Sequence, residues 1–139
     1  MREINFRVWD KKNKKIFRAA SIDFVLEKVE IWISSMTAIL LGFDEADRMQ
    51  YTGLKDKNGV EIYEGDIVSG VAIDTQGSFS YTGKIVWYEN NVCLGYYIED
   101  STGGAWELKQ AQTRISLDHI TGTIIGNIYD NPELLEVAK

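Results

Sequence analysis

Apolar and polar residues alternate almost from the start of the chain. Ile4, Phe6 and Val8 stand two apart, with Asn5, Arg7 and Trp9 between them. That is the period of a strand with one apolar face. Asp10-Lys11-Lys12-Asn13 reads as a turn, and Ile16-Phe17 as the returning strand. Residues 22–33 admit two readings. Ile22, Phe24 and Leu26 alternate, then Val29, Ile31 and Ile33 after a polar break at Glu27-Lys28. A helix would instead use Ile22, Val25, Leu26 and Val29. The density of β-branched and aromatic residues favours a second hairpin. Ser34 or Ser35 is placed to cap a short helix through Leu41, ended by Gly42. Asp44 to Arg48 reads as a polar connector. The pattern then changes near Met49, which divides the chain into an N-terminal β lobe, 1–48, and a second part, 49–139.

The second part opens on the densest turn chemistry in the chain, Met49 to Ser69. Asn58-Gly59 accepts positive φ at both positions, as a two-residue hairpin turn demands. Gly65-Asp66 follows only six residues later; the glycine has no Cβ, and the aspartate can accept from local N–H groups. Together they predict a tight arch carrying Tyr63 and feeding a strand from Ile67. Val71 to Ile73 extends that strand, and Asp74 to Ser78 reads as a loop. Tyr81 to Tyr88 is the next strand, with Ile85 and Trp87 on one face, Val86 and Tyr88 on the other, and Gly83 permitting a bend or bulge. Asn90-Asn91 is a turn, Val92 to Ile98 a strand, Asp100 to Gly104 a turn, and Trp106 and Leu108 begin a further segment. Ile120 to Tyr129 reads as the last strand. Asn131-Pro132-Glu133 then supplies a cap, a proline at the first position and an acid at the positive dipole end, predicting a short helix to Val137 or Ala138.

Four stretches carry a family resemblance: Met1 to Asp10 (MREINFRVWD), Gln50 to Val68 (QYTGLKDKNGVEIYEGDIV), Gly83 to Trp87 (GKIVW) and Ile125 to Leu135 (IGNIYDNPELL). The chain resembles the YopX family of phage and prophage proteins. The resemblance implies a mainly β protein, with minor helix, whose N-terminal hairpin lobe is followed by an SH3-like β-barrel and a short C-terminal helix. It also implies a phage or prophage of Gram-positive bacteria as the source. It implies no activity, and no catalytic or binding residue is carried over from it.

Charge narrows the choice of partners. The 139 residues carry a formal charge of −6, unevenly spread. Residues 1–18 hold seven basic groups against Glu3 and Asp10, a local +5, and the rest hold eight basic against nineteen acidic, a local −11. Such a field repels nucleic acid at long range. The lysines Lys11, Lys12, Lys14 and Lys15 read first as a solvated hairpin tip, and otherwise as a phosphate-contacting patch or an arm for a neighbouring copy. Cys93 is the one cysteine, so no intrachain disulfide forms, and a reducing cytoplasm, that of a bacterial host, is the expected compartment. The start, Met-Arg-Glu-Ile, has no apolar signal core, and no apolar run approaches the roughly 20 residues of a membrane span.

Catalytic chemistry has few candidates. His119 is the one histidine, and Asp118 beside it in sequence is not by itself an orienting partner. Cys93, between Val92 and Leu94, reads as a small core residue. Asp44, Glu45 and Asp47 cluster without the spacing of a calcium loop. No phosphate-binding glycine loop is present; Gly103-Gly104 reads as a turn. The expectation is a protein that is not an enzyme and uses no cofactor or metal. Aromatic residues are abundant, with four tryptophans and seven tyrosines. Most belong in a core, but Tyr63, Tyr81, Tyr88, Tyr96 and Tyr97 could line a barrel face of the kind that takes peptides or stacked bases. The residues expected to meet a partner are therefore Lys11, Lys12, Lys14, Lys15, Tyr63 and Trp87. Because the half with the tyrosines is acidic, protein binding or self-association into a homo-oligomer ranks above nucleic-acid binding.

Overall fold

A computed structural model describes residues 4–74, 76–90, 94–102, 104–112 and 118–136. Earlier expectations at Thr75 (within the Asp74–Ser78 loop), Asn91, Val92, Cys93, Gly103 and the end of the C-terminal helix at Val137 or Ala138 lie outside the described residues. The chain forms two compact units, Met1–Tyr51 and Thr52–Lys139.

The first unit is an antiparallel meander. Its strands are β1 (Phe6–Asp10), β2 (Lys15–Asp23), β3 (Lys28–Ser34), β4 (Thr37–Gly42) and β5 (Ala46–Lys55), the last running on into the second unit. The sheet order is β4-β3-β2-β1-β5, with β6 beyond β5 at the far edge, where β6 is Glu61–Tyr63. Val8, Val29, Ile31, Leu41 and Ala46 are buried together, with Phe17, Ile22, Ile39 and Phe43 packed against them. The first hairpin tip is organised by Asp10. Its carboxylate accepts from the Lys12 N–H (3.1 Å), the Asn13 N–H (3.3 Å) and the Asn13 side-chain amide (2.8 Å).

Residues 22–33 are a hairpin, not a helix, but its turn lies earlier than the polar break suggested. Asp23 accepts from the N–H groups of Val25 and Leu26, both at 2.9 Å, so the chain reverses over Phe24 to Glu27. Phe24 and Leu26 are therefore tip residues and not members of a strand. The helix expected from Ser34 or Ser35 to Leu41 is instead strand β4. The Ser34 hydroxyl accepts from the Met36 N–H at 3.3 Å, making a tight turn, and Thr37 to Gly42 then pairs back on β3. A serine accepting two residues ahead serves a turn as readily as a helix cap, and Ile39 and Leu41 alternate inward as a strand requires. The polar connector is shorter than expected: Glu45 accepts from the Gly42 N–H at 2.9 Å, and β5 has begun by Ala46.

In the second unit the end of β5 and β6 are joined by the Asp56–Gly59 turn. β7 (Asp66–Asp74), β8 (Gly77–Glu89), β9 (Leu94–Glu99), β10 (Ala105–Glu107) and β11 (Thr123–Asn127) follow. They make a five-stranded antiparallel sheet in the order β10-β9-β8-β7-β11. Ile62, Val68, Tyr81, Ile85, Ile98, Leu108 and Ile120 are among its buried core. Among the described residues the ladders leave β10 and β11 as separate edges, and only isolated bridges, Lys55 with His119 and Gln112 with Ile120, link the segments beyond them.

Four local expectations are corrected here. Asn58 does not take positive φ; Gly59 alone of the pair does, at +82°. The turn is longer than two residues because Asp56 accepts from the N–H groups of both Asn58 (2.8 Å) and Val60 (2.9 Å). The loop expected at Asp74 to Ser78 contracts to a tight hairpin, with Asp74 paired to Gly77. Gly83 makes no bulge; it pairs with Val68 in unbroken register, and a Cβ there would stand 2.6 Å from the Glu99 carbonyl. The glycine serves close strand approach. Finally, the C-terminal helix is only a 3-10 turn, Pro132–Leu135. The Asn131 side chain, expected as its cap, accepts instead from the Asn127 N–H at 3.4 Å.

Candidate functional site

The lysine hairpin sits at the β1–β2 tip with all four lysines exposed. Lys11 is committed within its own unit, donating to the Asp44 carbonyl at 3.2 Å and pairing with Asp47 at 3.6 Å. Lys12, Lys14 and Lys15 remain as solvated cations. Asp47 is thus taken from the Asp44, Glu45, Asp47 cluster by Lys11, and Glu45 by the Gly42 N–H. Among the described residues no group of three or more histidines, cysteines or acids could hold a metal ion.

Tyr63 and Trp87, in the second unit, differ in accessibility. Tyr63 is buried, its N–H donating to Asp66 at 2.8 Å and its hydroxyl to Glu61 at 3.2 Å. It braces the Gly65-Asp66 corner, where Gly65 has φ +85°. Trp87 is 42% exposed. It packs edge-on against Tyr96, ring centres 4.8 Å apart, and donates to Glu89 at 3.3 Å.

Strand alternation splits the tyrosines that were expected on one face. Tyr81 is in the core; its ring meets Trp106 and its hydroxyl lies 3.2 Å from Thr121. Burial raises its pKa above the ordinary phenol value, against smaller opposing effects of hydrogen bonds from Thr121 and Gly122. Trp87 pairs with Tyr96 on the side of Ile85 and Ile98. Tyr88 and Tyr97 lie on the opposite side and stack at 4.9 Å. There the Tyr88 hydroxyl donates to Glu99, which also pairs with Lys84 at 3.5 Å, and Tyr97 donates to Glu107 at 3.4 Å. This tyrosine stack is largely satisfied by its own acids.

The structure does bring His119 and Asp118 together, at 2.9 Å from Nδ1 to the carboxylate. The ring is partly buried beside the Asp56–Gly59 turn, where a Cβ on Gly59 would lie 3.7 Å from its Nε2.

The feature that sequence reasoning missed is a concentration of exposed apolar side chains in the first unit. Phe24 is 69% exposed, Val25 91%, Leu26 68%, Met36 89% and Leu40 63%, with Ile4, Trp32 and Ile33 also exposed. A groove of about 670 Å³ runs between Ile4, Phe6, Arg18, Ile22, Phe24 and Trp32. Arg18 on its wall donates to Asn5 at 3.1 Å. Of the exposed apolar residues, Ile4, Phe24 and Trp32 share the groove, and exposed apolar surface gathered in this way marks an interaction site. The signal was present in the sequence as Phe24-Val25-Leu26, three apolar residues in a row at a hairpin tip. No helix among the described residues is long and apolar enough to cross a membrane.

A family model described as YopX protein matches residues 5–136. The crystal structure of protein EF1440 from Enterococcus faecalis is similar over 98% of this chain and 100% of that one, with 26% identity and a TM-score of 0.64. No curated protein matches.

Proposed function

The chain belongs to the YopX family, and from that membership we propose that it is a non-enzymatic phage or prophage accessory protein that works by binding protein. It acts in the bacterial host cytoplasm, and its partner is a host or phage factor or further copies of itself. The observation that carries this reading is the exposed apolar surface of the first unit, from Phe24-Val25-Leu26 to Trp32, Met36 and Leu40. Exposed apolar groups on that scale are unfavourable in water and become favourable when a protein surface covers them. The family resemblance casts the second unit as an SH3-like barrel. The test has two arms. Sedimentation of the purified protein reports self-association, and affinity capture from host lysate, with and without nuclease, reports other partners. A strictly monomeric protein that captures nothing above background would refute the reading.

Nucleic-acid binding through the β1–β2 tip is the second reading, favoured by the exposure of Lys12, Lys14 and Lys15. It ranks lower because Lys11 is already paired within its unit and the chain as a whole carries −6. Replacing the four lysines by glutamine would flatten a steep loss of binding between low and physiological salt. Absence of binding at low salt would end it.

A further inference from the structure

β1 and β2 separate at one end of their ladder. Their pairing runs from Asp10–Lys15 to Arg7–Arg18 and, among the described residues, goes no further. β2 continues to Asp23, and from Ala19 on it is paired with β3 alone among the described residues. The chain leading into β1 stays instead with β5: the Tyr51 N–H donates to the Asn5 carbonyl at 2.8 Å. The separation coincides with a bulge, since the β2–β3 register shifts between Ala19 and Ser21, and a bulge bends its strand and disrupts the ladder. The groove described above lies in the gap, lined by residues 19–22 on one wall and 4–6 on the other. Successive residues of a strand point to opposite faces, so a groove that touches four in a row runs along the strand's edge and not over one face. Alternate residues there direct their N–H and C=O groups into the slot.

Among the described residues Arg18 is the single charged group lining the slot. The contact it makes there is with a neutral amide, the Asn5 side chain, at 3.1 Å. Arg7 stands directly across from it in the β1–β2 ladder, which adds a second positive charge at that end. The nearest acid along β2, Asp23, already accepts from the Val25 and Leu26 N–H groups. Trp32 lies one step beyond the Ala19–Ile31 pair, so it shares the face of Arg18, and Phe6, Ile22 and Phe24 supply further apolar wall. We infer that the slot takes an extended acidic segment of another protein, which adds as a strand to the open edge of β2 and sets a carboxylate on Arg18. The inference rests on the protein-binding reading above and names the partner's chemistry and the surface it meets. A row of backbone donors and acceptors is satisfied in series only by another backbone, which selects an extended chain over a compact small molecule. Two guanidinium groups directly opposed on neighbouring strands repel, and an anion beside them offsets that repulsion through charge-assisted hydrogen bonds. The aromatic and aliphatic walls select apolar residues on either side of that acid.

The experiment uses the intact chain and, as probe, a short end-capped, labelled peptide of alternating valine and threonine with a glutamate at its centre. Fluorescence anisotropy at low salt is expected to show saturable binding, about fivefold tighter than for the same peptide with glutamine in place of the glutamate. Arg18→Gln removes that difference and brings both peptides to one affinity. Lys12→Gln, which deletes a cation at the tip of the same hairpin but outside the groove, preserves it. Arg18 and Lys12 are both exposed, so both variants keep the wild-type circular dichroism spectrum. N-methylated peptides give a reading independent of charge. Only one set of alternate amides in an added strand faces β2, so methylating that set abolishes binding and methylating the other leaves it intact. A glutamate preference that survives Arg18→Gln overturns the inference, as do equal effects of the two methylated sets. Absence of binding overturns it too, but the protein-binding reading then still stands if sedimentation or capture reports a partner.

Discussion

Asp56 is the residue whose removal should cost the second unit most for the fewest atoms lost. Its side chain is 2% exposed. One oxygen accepts from the N–H groups of Asn58 and Val60, and the other from the N–H of Ile124 at 3.1 Å, 68 positions along the chain. A single carboxylate thus shapes the turn after β5 and fastens it to β11. Hydrogen bonds to a charged group contribute roughly 1.5–3 kcal/mol each. Asn58 and Val60 are exposed, so their N–H groups can turn to water once the carboxylate is gone; the half-buried Ile124 N–H has less access. We expect Asp56→Ala to cost about 2–4 kcal/mol, with most of the excess over an ordinary surface change coming from Ile124. For a unit of this size that corresponds to a fall in Tm of roughly 10–20 °C. Asp56→Asn separates the two roles. Its oxygen can keep the turn, but its amide then faces the Ile124 N–H, donor against donor, so it should lose about half as much. Thermal unfolding followed by tryptophan emission gives the magnitude, and amide hydrogen exchange gives the location. Ile124 should lose protection in both variants, and Asn58 and Val60 in Asp56→Ala alone. A loss under about 0.5 kcal/mol, or unchanged exchange at Ile124, would refute the reasoning.

Two further outcomes follow from the same kind of geometry. A Cβ on Gly122 would stand 2.5 Å from both the Ser69 carbonyl and the Tyr81 hydroxyl, so Gly122→Ala should cost about 1–3 kcal/mol through overpacking, read as a lower denaturant midpoint. Gly77→Ala, with nothing within 4 Å but a φ of +125°, should cost less; the reverse ranking would show that backbone strain outweighs crowding here. At Asp10, burial pushes the carboxyl pKa up, but hydrogen bonds from Asn13 and Lys12 and the Lys12 charge outweigh it and hold the pKa below the usual carboxylate range. A depressed carboxyl stabilises above its unfolded pKa and ceases to as pH falls through the folded one. The stability gap between wild type and Asp10→Asn should therefore be full at neutral pH and shrink below about pH 4, as denaturant midpoints across an acid series would show; a gap independent of pH would contradict this.

The elements most legible in the sequence are those fixed by near neighbours. The β1–β2 hairpin could be read because Asp10 and Asn13, which make its tip, are three positions apart. The Gly65-Asp66 corner could be read for the same reason. Misreadings gather where a distant group decides. The Asn58-Gly59 turn was visible, but its length depends on Asp56, whose side chain is also held from the far end of the chain by Ile124. Ser34 favours a cap or a turn equally in isolation, and pairing with β3 chose the turn. Tyr63 looked like a displayed aromatic on its arch, because a turn pattern does not say on which side of it the sheet packs; the ring is buried. Of the six residues expected to meet a partner, exposure leaves the four lysines and Trp87 accessible; the apolar surface of the first unit was passed over because alternation had assigned Phe24 and Leu26 to a strand.

That surface has a cause that can be read back from the strands. Ile31-Trp32-Ile33 in β3 and Ala38-Ile39-Leu40-Leu41 in β4 are continuous apolar runs. A strand with one face in water normally alternates, whereas an unbroken apolar run belongs to one covered on both faces. In the single chain only one side is covered: Val29, Ile31 and Leu41 are buried while Trp32 and Leu40 stand about half or more exposed. Leaving each such side chain in water forgoes roughly 1.5–3 kcal/mol of burial, and a lysine or threonine at position 40 would have suited a solvent-facing edge better. The composition of β3 and β4 is therefore that of strands covered on both faces, whereas in the first unit the face that carries Trp32 and Leu40 is open.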